Sequence, residues 1–518
     1  MATNSGQPRV AWGITLFVLI VGAFMSILDT SIVNIAIPKL ESVFSVTTDQ
    51  VQWVVTIYLL ALGVVVPASS YLGDRFGYHR VYIFSLVLFT IGSALSGLSW
   101  NLTALIVFRV IQAIGGGLIM PVTMAMIYRI VPRDRIGTAM GFWGLALIVA
   151  PAIGPTLGGY LVEYVNWRYI FYVNVPIGII GVVLALRYVP PFPVIHRGDF
   201  DLPGFLMVAA GLFGLLLVFS EGQSWGWTSE ASILVLMASL WALVWFVVWE
   251  LGQAHPLLDL RVFQYDSFTV ANLLTVIITI GMYSGIFYVP LFLQTVAGFG
   301  ALKTGLIMMP AALASALMMP ISGRLYDRIG ARPLALVGLS LLAMTTYLLH
   351  NLTINTPIPT IILWLVLRGF GMGMSMMPIT TGGMSAVPGH EVGSASAVNN
   401  ILQRVGGSFG LAVMTALLTN RQAVHAEAMA ATITPTANGY AVWNQVHALF
   451  APLGFGVVPT TQLTTTELYG LVQEQSFVLA MGDIFVVAAL VTAVGVFVAL
   501  FLKTYRTHNG ERAMSMGD

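Results

Sequence analysis

Four ionisable side chains interrupt otherwise apolar stretches long enough to cross a bilayer: Asp29, Arg109, Arg368 and Arg404. A charge held at that depth is costly, so it is expected to face a partner, a water-filled cavity or a transported ion. Desolvation favours the neutral form of a carboxylate and a neighbouring arginine favours the charged one, so a buried Asp–Arg pair can be switched between proton uptake and release. Asp29 and Arg109 are the candidate proton-coupling pair, since antiparallel first and fourth helices would bring both to one depth. The alternative is a permanent ion pair that fixes helix packing. Gln112 lies one turn beyond Arg109, and Asn34 lies beyond Asp29 on the first helix. Arg404 sits among Asn399, Asn400 and Gln403, a polar cluster that could line a solute cavity or act as helix–helix glue. With Arg368, these residues make up the candidate solute cavity: Asp29, Asn34, Gln112, Asn399, Asn400, Gln403, Arg404 and Arg368.

Two further groups concern motion rather than binding. Gly73, Asp74, Arg75, Gly77 and Arg80 crowd one interhelical loop, and Asp327 and Arg328 occupy a similar one. A carboxylate near helix N-termini and arginines can latch two bundles together and release on a conformational change; the bland alternative is a basic turn. Gly141, Gly154, Pro155, Gly158 and Gly159 make the fifth helix smooth and breakable, as small residues allow close approach and proline removes a backbone hydrogen bond. Glu221 and Glu250 fall at helix ends, where solvation is expected. No His-x-x-x-His, paired carboxylate or Walker loop accompanies the helices, so no metal or cofactor is expected. An integral membrane enzyme would need an interfacial cluster of His, Asp or Glu, which the sequence does not offer. The 24 methionines suit a pliable pocket, or ordinary packing.

The elements that must position these residues follow from composition. Of 518 residues 58% are hydrophobic and 8% charged, against roughly 25% charged in a soluble domain. A mean hydropathy of +0.88 over this length is too high for a buried core, which stops growing near 250–300 residues. Lipid must therefore cover much of the surface. A net charge of +1 offers no basic patch for nucleic acid, and the absence of cysteine excludes disulfides. At about 20 residues per crossing, the chain predicts fourteen helices, near 12–37, 51–72, 81–98, 103–127, 137–161, 169–189, 202–221, 231–251, 268–293, 304–325, 333–350, 358–379, 392–420 and 477–502. The first is expected to be retained rather than cleaved as a signal peptide, because no small-residue cleavage site follows it. Placing both termini in the cytoplasm puts fifteen of the 22 Lys and Arg residues inside, among them Arg9, Arg197, Arg506 and Arg512, and leaves Lys39, Arg168, Lys303 and Arg421 outside.

The chain also repeats itself. Tyr71-Leu-Gly-Asp-Arg-Phe-Gly-Tyr-His-Arg80 resembles Arg324-Leu-Tyr-Asp-Arg-Ile-Gly-Ala-Arg332, and Val131-Pro-Arg-Asp-Arg-Ile-Gly-Thr-Ala139 resembles Val387-Pro-Gly-His-Glu-Val-Gly-Ser-Ala395. Arg109 with its glycines and Pro121 is echoed by Arg368 with its glycines and Pro378. Three matches in one order predict an all-α membrane protein of two parallel six-helix bundles, with the seventh and eighth helices inserted between them. The expected units are 1–189, a linker and two extra helices over 190–260, and 261–518. Pro190–Asp201 reads as a cytoplasmic linker, and 421–476 as a loop on the opposite side, partly helical, serving either as a passive connector or for docking.

These motifs resemble the major facilitator superfamily, in particular its fourteen-helix drug:proton antiporters of the EmrB and QacA type, over nearly the whole chain. Leu28-Asp-Thr-Ser-Ile-Val-Asn-Ile-Ala-Ile-Pro38 is similar to the subgroup's first-helix signature, and Gly73-Asp-Arg-Phe-Gly77 to the superfamily's cytoplasmic gating motif. There Ser70 replaces the usual glycine and Tyr78 the usual basic residue. Arg109-Val-Ile-Gln-Ala113 resembles the fourth-helix motif linked to proton transfer, and the fifth-helix glycines resemble the antiporter motif, with Ala150 in place of one glycine. Trp167-Arg-Tyr-Ile-Phe-Tyr-Val-Asn-Val-Pro-Ile-Gly178 is also similar to the subgroup. The resemblance implies export of lipophilic compounds from the cell, across the inner membrane, by alternating access and in exchange for protons. Endogenous lipids, siderophores or metabolites are the alternative cargo. EmrB-type relatives imply a periplasmic adaptor and an outer-membrane channel as partners, whereas QacA-type relatives imply a lone pump.

Overall fold

A chain dissolved in lipid must satisfy its backbone hydrogen bonds within each segment, which leaves helices as the economical way across for apolar runs of this length. The computed structural model describes residues 12–192, 194, 199–254, 256–432, 439–450 and 457–503. Among them, fourteen helices are long and apolar enough to span a membrane. The first six are α1 (Trp12–Asn34), α2 (Thr48–Val65), α3 (Tyr78–Leu98), α4 (Leu102–Ile130), α5 (Arg133–Val165) and α6 (Tyr169–Tyr188). An inserted pair follows, α7 (Leu202–Trp225) and α8 (Glu230–Gly252). The last six are α9 (Asp266–Thr295), α10 (Leu302–Ile329), α11 (Ala331–Asn351), α12 (Ile358–Ser385), α13 (Val392–Ala431) and α14 (Thr460–Ala499).

The packing repeats as the sequence does. In the first bundle α1 packs on α5 and α6, α2 on α4, and α3 on α4 and α6. In the second, α9 packs on α13 and α14, α10 on α12, and α11 on α12 and α14. Each pair recurs eight helices later, as expected of parallel repeats joined by a two-helix insert. Within that insert α7 touches both bundles, α2 on one side and α13 on the other. Its partner α8 turns Leu234, Trp241 and Val244 outward, each more than 60% exposed, as a lipid-facing helix requires. Glu250, expected to be solvated, is instead buried at 2% exposure. The chain after α8 folds back so that the Leu258 N–H donates to its Oε1 at 3.3 Å.

Local departures from the predicted helices have backbone causes. The first helix ends at Asn34, and a separate short helix, Ile37–Phe44, starts with Pro38 in its first turn. The second breaks at Val66–Pro67 and resumes as Ala68–Phe76. Residues 421–476 are mostly helix rather than loop. The helix of α13 runs on to Thr432 through the Ala-rich Arg421–Thr432, a separate helix covers Gly439–Phe450, and that of α14 begins at Val457. At 1.5 Å per residue, helices of 41 and 43 residues are about twice a bilayer core in length, so they project beyond it. Residues 433–438 and 451–456 of that stretch, parts of the 190–201 linker, both termini, and Arg9, Arg197, Arg506 and Arg512 lie outside the described residues.

The bundles meet along α5 and α10. A Cβ on Gly141 would lie 2.5 Å from the Met319 carbonyl oxygen, so the helices can approach this closely only without a side chain there. Gly159 has nothing within 4 Å of its would-be Cβ. Gly141→Leu should therefore lower the unfolding free energy by about 1–3 kcal/mol through overpacking. Gly159→Leu should change it by less than about 0.5 kcal/mol. Thermal unfolding of the two variants in detergent checks the contrast, and equal effects would contradict the packing described.

Candidate functional site

Asp29 lies on α1 five residues before its end, and Arg109 on α4 seven residues after its start, so both sit roughly 10 Å beneath the same face of the bundle. Both side chains are fully buried. Arg109 Nη1 donates to Asp29 Oδ2 at 2.5 Å and to Gln112 Oε1 at 2.8 Å, and Arg109 Nε donates to the Val54 carbonyl oxygen at 3.3 Å. The other carboxylate oxygen, Asp29 Oδ1, accepts from Gln112 Nε2 at 2.8 Å and from Asn174 Nδ2 at 2.9 Å. Asn174 Nδ2 also reaches Ser93 Oγ at 3.2 Å. The guanidinium lies 3.8 Å from the centre of the Tyr58 ring and 5.7 Å from that of Phe171. The acid is thus held by three donor side chains in a protein interior, turned away from lipid and, in this conformation, from water.

Close helix contacts assemble this cluster. A Cβ on Gly92 would lie 2.5 Å from the backbone of Gln112, so glycine lets α3 bring Ser93 to α4. Asn174, Tyr58 and Ser93 were not singled out from sequence. The only sign of Asn174 is its place in the Trp167–Gly178 run, since uncharged polar residues inside apolar helices are common packing groups. Asn34, grouped with the acid in sequence, is instead exposed at the end of α1.

The second bundle carries a separate polar group. Asn399 Nδ2 donates to Asn272 Oδ1 at 3.0 Å, and Gln403 Nε2 donates to Asn399 Oδ1 at 3.1 Å, a ladder between α9 and α13 that includes the unforeseen Asn272. Asn400 Nδ2 turns to the Ser396 carbonyl at 2.9 Å. Arg368, the counterpart of Arg109 in the repeat, has no acid paired with it among the described residues. Its Nη2 is bonded to the carbonyls of Gly281 and Met282 on α9. Arg404 is partly exposed and within electrostatic reach of Tyr283 on α9 and of Tyr58 in the first bundle.

At the face where Arg75, Arg80, Arg129 and Arg328 gather, the bundles are joined. Asp327 of α10 accepts from the Gly137 N–H at 2.8 Å, the Thr138 N–H at 3.0 Å and the Thr138 hydroxyl at 2.6 Å, capping the start of α5 across the interface. Ser70 and Ser394 hydroxyls lie 3.1 Å apart across the same interface, and Ser396 Oγ donates to the Pro121 carbonyl at 2.8 Å. Asp74, the sequence counterpart of Asp327, accepts from Arg129 Nη2 at 3.2 Å within its own bundle. Arg129 also stacks on Tyr78 at 4.2 Å, and a Cβ on Gly73 would meet that ring at 2.5 Å. Gly77 adopts φ +87°, a left-handed turn that a residue with a side chain resists. Arg75, Arg80 and Arg328 are exposed.

The fifth helix links this interface to the acid. Its first half packs on α10 through Gly137 and Gly141, and its second half packs on α1, where a Cβ on Gly154 would strike Ser31 and one on Gly158 would lie 2.9 Å from Ile32. Those α1 residues are within one turn of Asp29. Pro155 and Gly159 face away from these contacts, Pro155 exposed and Gly159 partly so. On the half of α5 and α10 away from the arginine-rich face, Ile153, Tyr160, Leu306 and Met309 are each more than 40% exposed. Asp327→Ala should release the arginine-rich contact and raise maleimide labelling of Ser394→Cys, buried at that seam, several-fold in this otherwise cysteine-free chain. Unchanged labelling would show that the capping contact does not hold the bundles together.

Comparison with known proteins agrees with this architecture. The chain is 36% identical over 95% of its length, and 93% of the relative's, to the uncharacterized MFS-type transporter YhcA of Bacillus subtilis. It is 30% identical over 91% of its length, and 92% of the relative's, to the multidrug export protein EmrB of Haemophilus influenzae. It is 32% identical over 81% of its length, and 79% of the relative's, to a multidrug resistance protein B homolog of Mycobacterium tuberculosis. Among solved structures, the proton:xylose symporter XylE superposes with a TM-score of 0.61 at 15% identity, covering 95% of this chain and 96% of that one. The family profile of the Major Facilitator Superfamily matches residues 19–411. With two repeated six-helix bundles, a polar centre and that match over most of its length, the chain belongs to the Major Facilitator Superfamily.

Proposed function

We propose that this protein exports lipophilic drugs or toxic compounds from the cell in exchange for protons, by alternating access. The observation that carries the reading is Asp29, a buried carboxylate that three side-chain donors hold in place, one of them the Arg109 cation. A permanent structural pair also needs its remaining lone pairs satisfied, but a site that must be satisfied both with and without its proton needs, in addition, partners that can rearrange. Gln112 and Asn174 are amides, able to present either a donor or an acceptor to the carboxyl group. Relatives named as multidrug export and multidrug resistance proteins support a drug as cargo.

In this reading the arginine-rich face is cytoplasmic, both termini lie on that side of the inner membrane, and Asp327 with the Gly73–Arg80 loop gates it. The contacts at that face then belong to a state closed to the cytoplasm. External protons reach Asp29 as α5 moves against α1, weaken its bond to Arg109, and favour release of substrate. Opening the cytoplasmic side returns the proton. One proton crossing about 100 mV supplies about 2.3 kcal/mol, and each pH unit adds about 1.4 kcal/mol. Together these sustain a gradient of a few hundredfold for a neutral substrate. A lone pump needs nothing more. An adaptor reaching an outer-membrane channel would meet the helical extensions of α13 and α14, and copurification from native membranes distinguishes the two arrangements.

The test is a dye-efflux and resistance panel with and without a protonophore, paired with Asp29→Asn in proteoliposomes. The variant should lose pH-driven efflux at least tenfold while substrate counterflow, which needs no net proton movement, persists. Intact pH-driven efflux in Asp29→Asn would remove the acid from the coupling step.

A further inference from the structure

Three arginines, Arg109, Arg368 and Arg404, lie well away from the membrane-proximal ends of their helices, and their surroundings differ. Arg109 is neutralised by Asp29. Arg368 is directed into α9, where the backbone carbonyls of Gly281 and Met282 accept from it. Arg404 has neither arrangement: among the described residues no carboxylate pairs with it and no carbonyl accepts from its guanidinium, and its Nε, like that of Arg368, is buried without a hydrogen-bond partner. A guanidinium presents five donors and no acceptor, and it stays charged under all ordinary conditions. At mid-membrane depth such a group requires a counter-charge or acceptor from somewhere.

Its position says where that acceptor would come from. Gly393, eleven residues earlier on α13, faces Tyr78 of the first bundle, and eleven residues are about three turns, so Arg404 returns to the same side. On that side it feels Tyr58, whose ring stacks on Arg109, and Tyr283 of α9, which packs against α13 at Gly407. Arg404 therefore lies on the side of α13 that looks toward the first bundle, partly exposed, and within electrostatic reach of Tyr58, whose ring stacks on Arg109. Ile401 and Val405, its neighbours along α13, are apolar.

We propose that Arg404 is the anchor for an anionic group on the transported molecule, so that the site takes lipophilic carboxylates in preference to their neutral or cationic analogues. The substrate's carboxylate supplies the counter-charge that the chain withholds, its apolar body lies against the aromatic and aliphatic side chains, and Tyr58 stands between the anchored anion and the proton site. This assignment rests on the reading of the polar centre as the transport site. It has a consequence for energetics: exchange of an internal univalent anion for an external proton moves two charges in one direction, so membrane potential acts on the cycle twice.

Equilibrium binding to the purified full chain tests the assignment without any proton gradient. The probes are pyrenebutanoate, its methyl ester and pyrenebutyl-trimethylammonium, matched in apolar body and measured in one detergent so that partition into micelles cancels between variants. Wild type should bind the carboxylate roughly ten- to hundredfold tighter than the ester, the range of a charge-assisted hydrogen bond. Arg404→Ala should erase that preference while leaving ester binding unchanged, and Arg404→Lys should restore part of it. Arg404→Gln, uncharged and able to hydrogen-bond, serves where the alanine variant does not fold. Equal affinity for carboxylate and ester in wild type, or a preference that survives Arg404→Ala and Arg404→Gln, would overturn the proposal. Efflux insensitive to a protonophore would instead defeat the antiport reading and leave the binding result standing.

Discussion

A carboxylate and a guanidinium taken out of water lose several kcal/mol of hydration each, and their attraction repays this only when geometry is good and the remaining hydrogen bonds are made. Around the Asp29–Arg109 pair that condition is met by groups from three other helices of the first bundle: Arg109 itself and Gln112 on α4, Asn174 on α6, and the Val54 backbone carbonyl on α2, which accepts from Arg109. Removing one partner would leave a buried charge, so α1, α2, α4 and α6 cannot shift independently without cost. Those four helices are thereby tied into one body, which leaves out α5. The second bundle has a neutral counterpart, the amide ladder through Asn272, Asn399 and Gln403, which fixes α13 to α9 without a charge.

Helices tied in this way leave motion to α5 and the seam between the bundles, and there the contacts are of a kind that can be broken. The interface on the arginine-rich side depends on a capping carboxylate, a pair of hydroxyls and glycine-smoothed helices rather than on interlocked large side chains. Ser70 and Tyr78, both departures from the usual gating sequence, lie at this seam, Ser70 bonded to Ser394 and Tyr78 packed beside Gly393. Because α5 packs on α10 at one end and on α1 near Asp29 at the other, a shift of the seam is felt at the acid. In the proposed antiport cycle, that continuity is what couples a conformational change to proton exchange.

The fold was legible because lipid imposes a simple rule: each crossing is a long apolar run, and Asp29, Arg109, Arg368 and Arg404 stand out against it. Repetition was equally plain, since the turn glycines and acids around Asp74 and Asp327 cannot be replaced freely. What sequence did not disclose depends on side-chain direction. Asn174, Ser93, Asn272 and Tyr58 are ordinary residues for a membrane helix until a neighbour is known. Glu250 looked solvated because its helix ends there, yet the chain returns over it. The stretch 421–432 looked like a loop because it leaves the membrane, whereas its alanines simply continue the helix.

The central claim is that Asp29 is the group that exchanges a proton for substrate, and proton release can be observed directly. Purified protein in weakly buffered detergent solution is mixed with a transported lipophilic dye while a soluble pH indicator is followed. The account predicts release of about one proton per dye bound in wild type and none in Asp29→Asn at equal occupancy. Equal release from both proteins would contradict it.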